Sequence, residues 1–303
     1  MGPSEAFRSL AILLAVAAAV ALAYGAHFQN AAVVADNTPK IKGQGSLSLK
    51  QLLAVVSRPT WLSGTAFMAA GIVLQLAALS LAPLIVVQPV GAVALVITAI
   101  LNSRTTKTRI TRPTLIAIGF CTVGIAAFVL MASGVARETE LNDDRLREVL
   151  GVLLVILAIF AALFFTIGQR AKALTYVIGA GVLYGFVATL AKVVIQRIYQ
   201  QQFELLTILC LVALIGAVAL GGWFVQNAYS SGPPDLVIAG LTVIDPLVAV
   251  SIGIVILGEA KSADFLTILG WLISAIVAVI GVYLLSKVHP ELSTKVRSRK
   301  HLV

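Results

Sequence analysis

The sequence LTVIDPLVAV spans residues 241–250 and continues as SIGIVILGE to residue 259. It places an aspartate beside a proline inside an otherwise apolar run. An ionised carboxylate at the centre of a bilayer costs roughly 2.5–3.5 kcal/mol on insertion scales, and Pro246 leaves a backbone carbonyl that lipid cannot satisfy. If this run crosses a membrane, we therefore expect Asp245 and Pro246 to serve a function.

The composition of the whole chain indicates a membrane protein. Of its 303 residues, 59% are hydrophobic and 12% are charged, whereas a soluble domain is roughly half apolar and a quarter charged. Apolar runs long enough to cross a hydrocarbon core recur along the chain. We therefore predict an all-α polytopic membrane protein without a soluble domain. The net charge of +9 is expected of cytoplasmic loops and does not require a nucleic-acid partner.

Nine apolar runs are predicted to be transmembrane helices, separated by loops that contain Asn, Pro, Gly or charged residues. Their approximate bounds are 8–30, 60–81, 83–102, 112–133, 149–168, 174–197, 206–227, 236–258 and 264–286.

The distribution of Lys and Arg predicts the orientation of these helices. Fifteen of the 22 basic residues fall in the odd-numbered loops and the C-terminal tail, and six fall on the opposite side. Because basic residues collect in cytoplasmic loops, we predict an integral protein of the plasma (cytoplasmic) membrane with its N-terminus outside and its C-terminus in the cytoplasm. The alternative for the first run is a signal peptide cleaved near the ALA at 21–23, which would invert this charge bias.

Three short segments recur in the same order in the two halves of the chain. The pairs are GIVLQ at 71–75 with GWFVQ at 222–226, VQPVGAV at 87–93 with IDPLVAV at 244–250, and IAIGF at 116–120 with TILGW at 267–271. Matching spans are an odd number of spans apart, so the two copies would cross the membrane in opposite directions. Inverted repeats are frequent in secondary transporters, whose binding sites lie near the midplane between the copies.

The repeat divides the chain into segments. Copy 1 covers 60–133, and the linking helices with copy 2 cover 149–286. The remaining segments are the first span at 1–30, a cytoplasmic loop at 31–59 in which SLSLKQLLAVVS predicts an interfacial helix, an external polar loop at 134–148, and a basic cytoplasmic tail at 287–303.

Gln88-Pro89 and Asp245-Pro246 occupy equivalent positions in the two copies. Each proline frees a backbone carbonyl that needs a partner in a neighbouring helix, a water or a substrate. Corresponding interruptions in two halves are a strong sequence indication of a transport site. We therefore predict that Pro89 and Pro246 break or loosen two helices around a common polar centre.

The segment WLSGTAFMAAGIVLQLAALSLAPLIVVQPVGAVALVITAIL at 61–101 resembles the core of the drug/metabolite transporter superfamily. Its Trp61, Ala82-Pro83 and Gln88-Pro89 are similar to the NIPA-type magnesium transporter branch. The second copy, with Gln226, Pro246 and the closing LGE at 257–259, is similar to the EamA-type pattern. The resemblance implies alternating access across an inverted repeat, with a central cavity lined by the repeated helices.

Asp245 is the main candidate for substrate binding or coupling, because a carboxylate at this depth can take up a proton or a cation. Gln75, Gln88 and Gln226 are neutral amides that could hydrogen-bond a polar solute, with hydrogen bonding between helices as the alternative. Tyr184 is a candidate for the cavity entrance, with packing or an interfacial position as the alternative.

Lys192 is a basic residue inside a predicted span. It is expected either to pair with Asp245 or attract an anionic substrate, or to extend with Arg197 to the outer surface. Glu259 is expected in a solvated turn at the outer membrane edge.

These features rank first a secondary transporter that moves a small polar metabolite or a lipid-linked intermediate, with proton coupling through Asp245 as part of the hypothesis. A transporter of magnesium or another divalent cation comes second, since one aspartate offers little charge compensation. A lipid flippase would use Lys192 to bind a headgroup. A non-transporting scaffold is the remaining alternative, and the paired prolines argue against it.

No Ser/His/Asp set, metal triad or nucleotide-binding loop is evident in the sequence. We therefore predict neither enzymatic activity nor a cofactor or structural metal. The expected partners are membrane lipids and the transported substrate, and glycine-rich helix faces permit a homodimer without requiring one.

Overall fold

The computed structural model describes residues 3–34, 57–105, 112–137, 141–167, 173–231 and 234–288. Within these ranges the chain is helical apart from short turns, and no strand occurs. The helices are α1 (Pro3–Val34), α2 (Pro59–Leu81), α3 (Leu84–Val87), a 3₁₀ segment (Gln88–Ala92), α4 (Val93–Thr105), α5 (Arg112–Val135), α6 (Asp143–Ile167), α7 (Ala173–Tyr199), α8 (Leu205–Ser231), α9 (Pro234–Val255) and α10 (Phe265–Val288).

The described helices have the lengths that membrane crossing requires. Eight stretches are long and apolar enough to span a bilayer, one of them running through α3, the 3₁₀ segment and α4. A shorter apolar stretch, Gly240–Val255, lies within α9. The predicted all-α polytopic class is therefore confirmed. The predicted interfacial helix, apart from Ser57, and the tail beyond residue 288 lie outside the described residues.

Two predicted boundaries differ from the structure, and local caps explain both. The loop predicted at 134–148 is shorter because α6 begins at Asp143, where the side chain of Asn142 accepts a hydrogen bond from the backbone N–H of Arg145 at 3.2 Å. The eighth span, predicted to reach residue 258, ends at Val255. A turn follows in which Gly258 adopts φ +69°, a conformation that favours glycine.

Pro89 and Pro246 affect their helices differently. The backbone around Pro89 forms the 3₁₀ segment, whereas α9 stays α-helical through Pro246. Each proline removes one helical hydrogen bond, but the residue two positions after Pro89 is Gly91, a poor helix former, whereas the residue two positions after Pro246 is Val248. The predicted interruption is therefore present in the first copy, while the second copy keeps a continuous helix.

The helices pack closely where glycines let their backbones approach each other. A Cβ at Gly71 of α2 would lie 2.7 Å from the side chain of Leu22 in α1, and a Cβ at Gly281 of α10 would lie 2.3 Å from the backbone nitrogen of Cys121 in α5. α7 contacts both α8 and α9 and is the most buried of the described spans. Because lipid is as apolar as the helix surfaces, such contacts depend on small residues that let backbones approach.

Gly124 and Gly119 provide a matched test of this packing within α5. A Cβ at Gly124 would lie 2.5 Å from the backbone nitrogen of Ala278 in α10, whereas a Cβ at Gly119 would meet nothing within 4 Å. We expect Gly124→Ala to lower the free energy of unfolding by about 1–3 kcal/mol, as overpacking does. Gly119→Ala should leave it unchanged or slightly higher. Thermal denaturation in detergent measures both, and equal melting temperatures would contradict the close contact between α5 and α10.

Candidate functional site: a central cavity with one carboxylate

A cavity of about 500 Å³ lies between α1, α2, the 3₁₀ segment, α7 and α9. Its polar lining is contributed by the side chains of Gln75, Gln88, Tyr184, Thr242 and Asp245. Most of the remaining wall is apolar. The structure therefore brings four of the predicted binding or coupling residues, Gln75, Gln88, Tyr184 and Asp245, to one cavity. Thr242, which was not predicted from the sequence, lines it as well. Residues of α1 form part of the wall, so cleavage of the first span as a signal peptide would remove that part of the wall.

Two glycines of α7 bring Asp245 to the cavity wall. A Cβ at Gly181 would lie 2.6 Å from the side chain of Ile244, and a Cβ at Gly185 would lie 2.6 Å from that of Val248. Because neither glycine carries a side chain, α9 lies directly against α7 at this level. Tyr184, which lies between the two glycines in sequence, lines the same cavity as Asp245.

Asp245 is the carboxylate of the cavity wall. Its Oδ1 atom is buried and has no hydrogen-bond partner among the described residues. No Lys or Arg is found among the described residues that line the cavity. Buried polar atoms in proteins are normally hydrogen-bonded, and a buried carboxylate without a partner is costly. The carboxylate is therefore available to a proton, a cation or a polar solute inside the cavity.

Gln88 and Gln226, which the sequence treats alike, occupy different environments. Gln88 is only 6% exposed and lines the cavity. Gln226 is exposed and is not part of the wall. The buried face of α8 includes Phe224, and a residue two positions away lies about 200° around the helix. The structure therefore does not bring Gln226 to the site.

Pro89 and Pro246 line a second, smaller cavity of about 80 Å³. It is apolar and lies on the side of the two prolines that faces α5 and α10, where Phe128 forms part of its wall. Thr242 and Pro246 line both cavities. The two proline-containing segments are therefore neighbours, and they separate the polar cavity from an apolar space.

Lys192 pairs with Glu259, an acid that was not expected to be its partner from the sequence. Its Nζ lies 3.4 Å from Oε1 of Glu259 and donates a hydrogen bond to the carbonyl oxygen of Ala82 at 2.8 Å. The side chains of Lys192 and Glu259 are 3% and 2% exposed, so Lys192 does not extend to the surface. Arg197, its expected companion there, is also buried and pairs with Asp143 of α6.

The expectation that Glu259 lies in a solvated turn is wrong. Its carboxylate accepts hydrogen bonds from the backbone N–H groups of Leu84 at 2.9 Å and Ile85 at 3.0 Å. These groups belong to the first turn of α3, whose N–H donors have no partner within the helix. The available sequence signal was Lys192, since a buried cation requires an acid from elsewhere in the chain.

Further polar contacts hold the turn that carries Glu259. The backbone N–H of Arg137 donates to the carbonyl oxygen of Glu259 at 2.9 Å. Nη1 of Arg145 donates to the carbonyl oxygen of Leu257 at 2.5 Å. The α9–α10 turn is therefore joined to α3, to α6 and to the end of α5, as well as to α7 through the ion pair.

Comparison with known proteins identifies the family. Residues 10–291 match the family described as "Magnesium transporter NIPA". The chain belongs to the NIPA family. An uncharacterized protein of Corynebacterium glutamicum is 28% identical over 256 residues, which is 82% of this chain and 85% of that relative. No solved structure gives a significant match. The resemblance to NIPA-type transporters is confirmed, and this NIPA-family chain is a multispan membrane transporter.

Gly91 allows the cavity of this NIPA-family chain to be probed. It lines the cavity, and a Cβ there would meet nothing within 4 Å. We expect Gly91→Cys to fold normally and to react with a small polar thiol reagent, whereas the native Cys121 and Cys210, both 0% exposed, should not react. Mass spectrometry of labelled protein in detergent measures the reaction. A Gly91→Cys protein no more reactive than the parent would contradict a cavity that water enters.

Proposed function

We propose that the chain is a secondary transporter that moves a hydrated divalent cation, Mg²⁺ first among them, through the central cavity by alternating access. The observation that carries this proposal is the carboxylate of Asp245, whose buried oxygen has no partner among the described residues and which faces a cavity with otherwise neutral polar groups. Membership of the NIPA family supports a divalent cation as the substrate class.

The size of the cavity supports a cation that keeps its water shell. Mg²⁺ loses water reluctantly and is usually held through one or two carboxylates together with several waters. Six waters occupy about 180 Å³ at about 30 Å³ each. A cavity of about 500 Å³ can therefore accept the hydrated ion without stripping it.

The polar groups of the wall suit the water shell of such an ion. The amide oxygens of Gln75 and Gln88 and the hydroxyl oxygens of Tyr184 and Thr242 can accept hydrogen bonds from waters bound to the metal. Asp245 supplies the negative charge. Within the described part of the chain, no three His, Cys, Asp or Glu side chains gather into a cage, which agrees with a passing, hydrated ion better than with a resident one.

The packing of the helices supports an inverted repeat and hence alternating access. The sequence repeat equates α2 with α8 and α5 with α10, and the same offset of five spans would equate α1 with α7. The α1–α2 contact then corresponds to the α7–α8 contact, and α5 packs against its own equivalent, α10. In transporters built this way, one copy moves against the other around a fixed central site. The proposal keeps the orientation with the N-terminus outside and the C-terminus in the cytoplasm, on the basis of the charge distribution.

Asp245→Asn tests the proposed substrate charge. The substitution keeps the shape of the side chain and removes the negative charge, which at 4 Å contributes about 4 kcal/mol per unit charge at an effective dielectric constant of 20. We expect Mg²⁺ uptake into proteoliposomes, followed with a Mg²⁺-sensitive dye, to fall by about tenfold or more.

Asp144→Asn is the matched control, because it neutralises an aspartate that is 76% exposed on α6 and far in sequence from the cavity residues. It should transport as the parent does. Melting temperatures of both variants separate a loss of transport from a loss of folding. Full uptake by a folded Asp245→Asn protein would contradict the proposal.

Gln88 and Gln226 form a second matched pair. Gln88→Ala removes an amide from the cavity wall and should lower the rate of Mg²⁺ uptake by about fivefold, the equivalent of one hydrogen bond of about 1 kcal/mol. Gln226→Ala removes the same group from an exposed position and should leave uptake unchanged. The same proteoliposome assay measures both, and equal rates would show that the wall amides do not contact the substrate.

A small polar metabolite is the second candidate substrate. The cavity is larger than a hydrated ion needs, and most of its wall is apolar, as in sites for small organic molecules. Parent proteoliposomes that take up no Mg²⁺, while a cationic or polar metabolite protects Gly91→Cys from labelling, would favour this candidate. The flippase hypothesis has less support, because Lys192, its candidate headgroup ligand, is paired with Glu259.

A further inference from the structure

We infer that the Lys192–Glu259 ion pair is a gate that closes one end of the cavity and that it separates in each transport cycle. This inference rests on the proposed transport function. The end of the cavity that carries the pair is here called the gate end, and it is marked by the turn between α9 and α10. The pair joins α7 to that turn and, through Leu84 and Ile85, to α3.

The pair lies immediately beyond the cavity on several walls at once. Three residues that line the cavity are Leu79, Gln88 and Ala188. Lys192 lies one helical turn beyond Ala188, on the same face of α7. Ala82 and Leu84, whose backbone groups bind the pair, lie three residues after Leu79 and four residues before Gln88. The ion pair therefore spans the gate end of the cavity from α7 to the α2–α3 junction and the α9–α10 turn.

The partners of the pair are groups that water can satisfy when the gate opens. Glu259 binds N–H groups of the first turn of α3, and Lys192 binds a carbonyl oxygen in the junction before it. Such terminal groups have no partner inside a helix and accept water readily. Opening would therefore exchange protein hydrogen bonds for hydration without breaking the interior of any helix.

The closed gate is electrically balanced, and this determines how substitutions should act. Two opposite charges, both nearly fully buried, compensate each other in the closed state. Removing one partner leaves an uncompensated buried charge, which favours a state in which that charge meets water. Removing both leaves neutral side chains, whose burial costs less than that of an unpaired charge. Single variants should therefore open the gate end, and the double variant should close it again.

Sided labelling of Gly91→Cys measures this directly. Proteoliposomes receive a membrane-impermeant thiol reagent on one face or the other, in a background in which Cys121 and Cys210 are replaced by Ala. Lys261→Cys, on an exposed residue of the α9–α10 turn, identifies the face of the gate end. We expect slow labelling of Gly91→Cys from that face in the parent and labelling faster on the order of tenfold in Lys192→Met and in Glu259→Gln. Labelling from the opposite face should fall.

The double variant Lys192→Met/Glu259→Gln should return to the parent pattern. Asp144→Asn/Arg147→Gln is the matched control, since it removes an exposed ion pair and should change nothing. A purely structural pair predicts lower melting temperatures with unchanged sidedness. That result, or labelling that rises equally from both faces, would overturn the inference.

Gly253→Ala keeps the test decisive if the single charge variants do not fold. A Cβ at this position would lie 2.7 Å from Oε2 of Glu259, so the substitution displaces the carboxylate while both charges remain. It should raise labelling from the gate face by a smaller factor, and a folded variant labelled like the parent would overturn the inference. Labelling needs no Mg²⁺, so the two proposals can fail separately. If the variants show the expected change in sidedness but the parent takes up no Mg²⁺, the gate is supported and the proposed substrate is wrong. If the parent takes up Mg²⁺ but the variants show no change in sidedness, the proposed substrate is supported and the gate is overturned.

Discussion

A charged side chain inside a bilayer needs a partner of its own, and this constraint distinguishes Glu259 from Asp245, two of the carboxylates in the second half of the chain. Glu259 has Lys192 and two backbone N–H groups around it, so its charge is compensated within the protein. Asp245, which lies in the preceding helix α9, has a buried oxygen with no hydrogen-bond partner among the described residues. The first carboxylate is engaged by groups of the protein, and the second is proposed to bind the substrate. The proposed roles of the two acids, one in the ion pair and one in substrate binding, follow from their partners and not from their residue type.

The helices that create this division pack on glycines. Gly181 and Gly185 let α9 lie against α7, which places Asp245 and Tyr184 on the same cavity. The 3₁₀ segment that follows α3 brings Gln88 to the wall of the same cavity. α3 itself is joined through its first turn to Glu259. Three parts of the cavity wall are thus connected to the ion pair: the segment that carries Gln88, the helix that carries Tyr184, and the helix of Asp245 through the turn that follows it. A movement at the pair would therefore displace all three parts of the wall.

The sequence predicted the parts of the site that depend on local composition. A carboxylate and an amide beside prolines in apolar runs are rare and costly, so Asp245 and Gln88 could be singled out without a structure. The Lys192–Glu259 pair could not, because it joins residues far apart in sequence and depends on the φ of Gly258 and on free N–H groups after Pro83. Gln226 is the opposite case, because the sequence singled it out but the structure does not bring it to the cavity. It matches Gln75 in the repeat. However, α8 is apolar on almost every side, so the spacing of its apolar residues does not reveal which face turns inward.

Asp245 is proposed to be the charged contact of a hydrated divalent cation. Mn²⁺ prefers the same oxygen ligands as Mg²⁺ and scatters X-rays anomalously, so crystals of the protein grown with Mn²⁺ can locate the ion. The account predicts an anomalous peak within the cavity, with Asp245 as its nearest charged side chain, and loss of that peak in Asp245→Asn. A peak at Glu259 with Lys192 displaced, or an empty cavity at Mn²⁺ concentrations that block Mg²⁺ uptake, would contradict it.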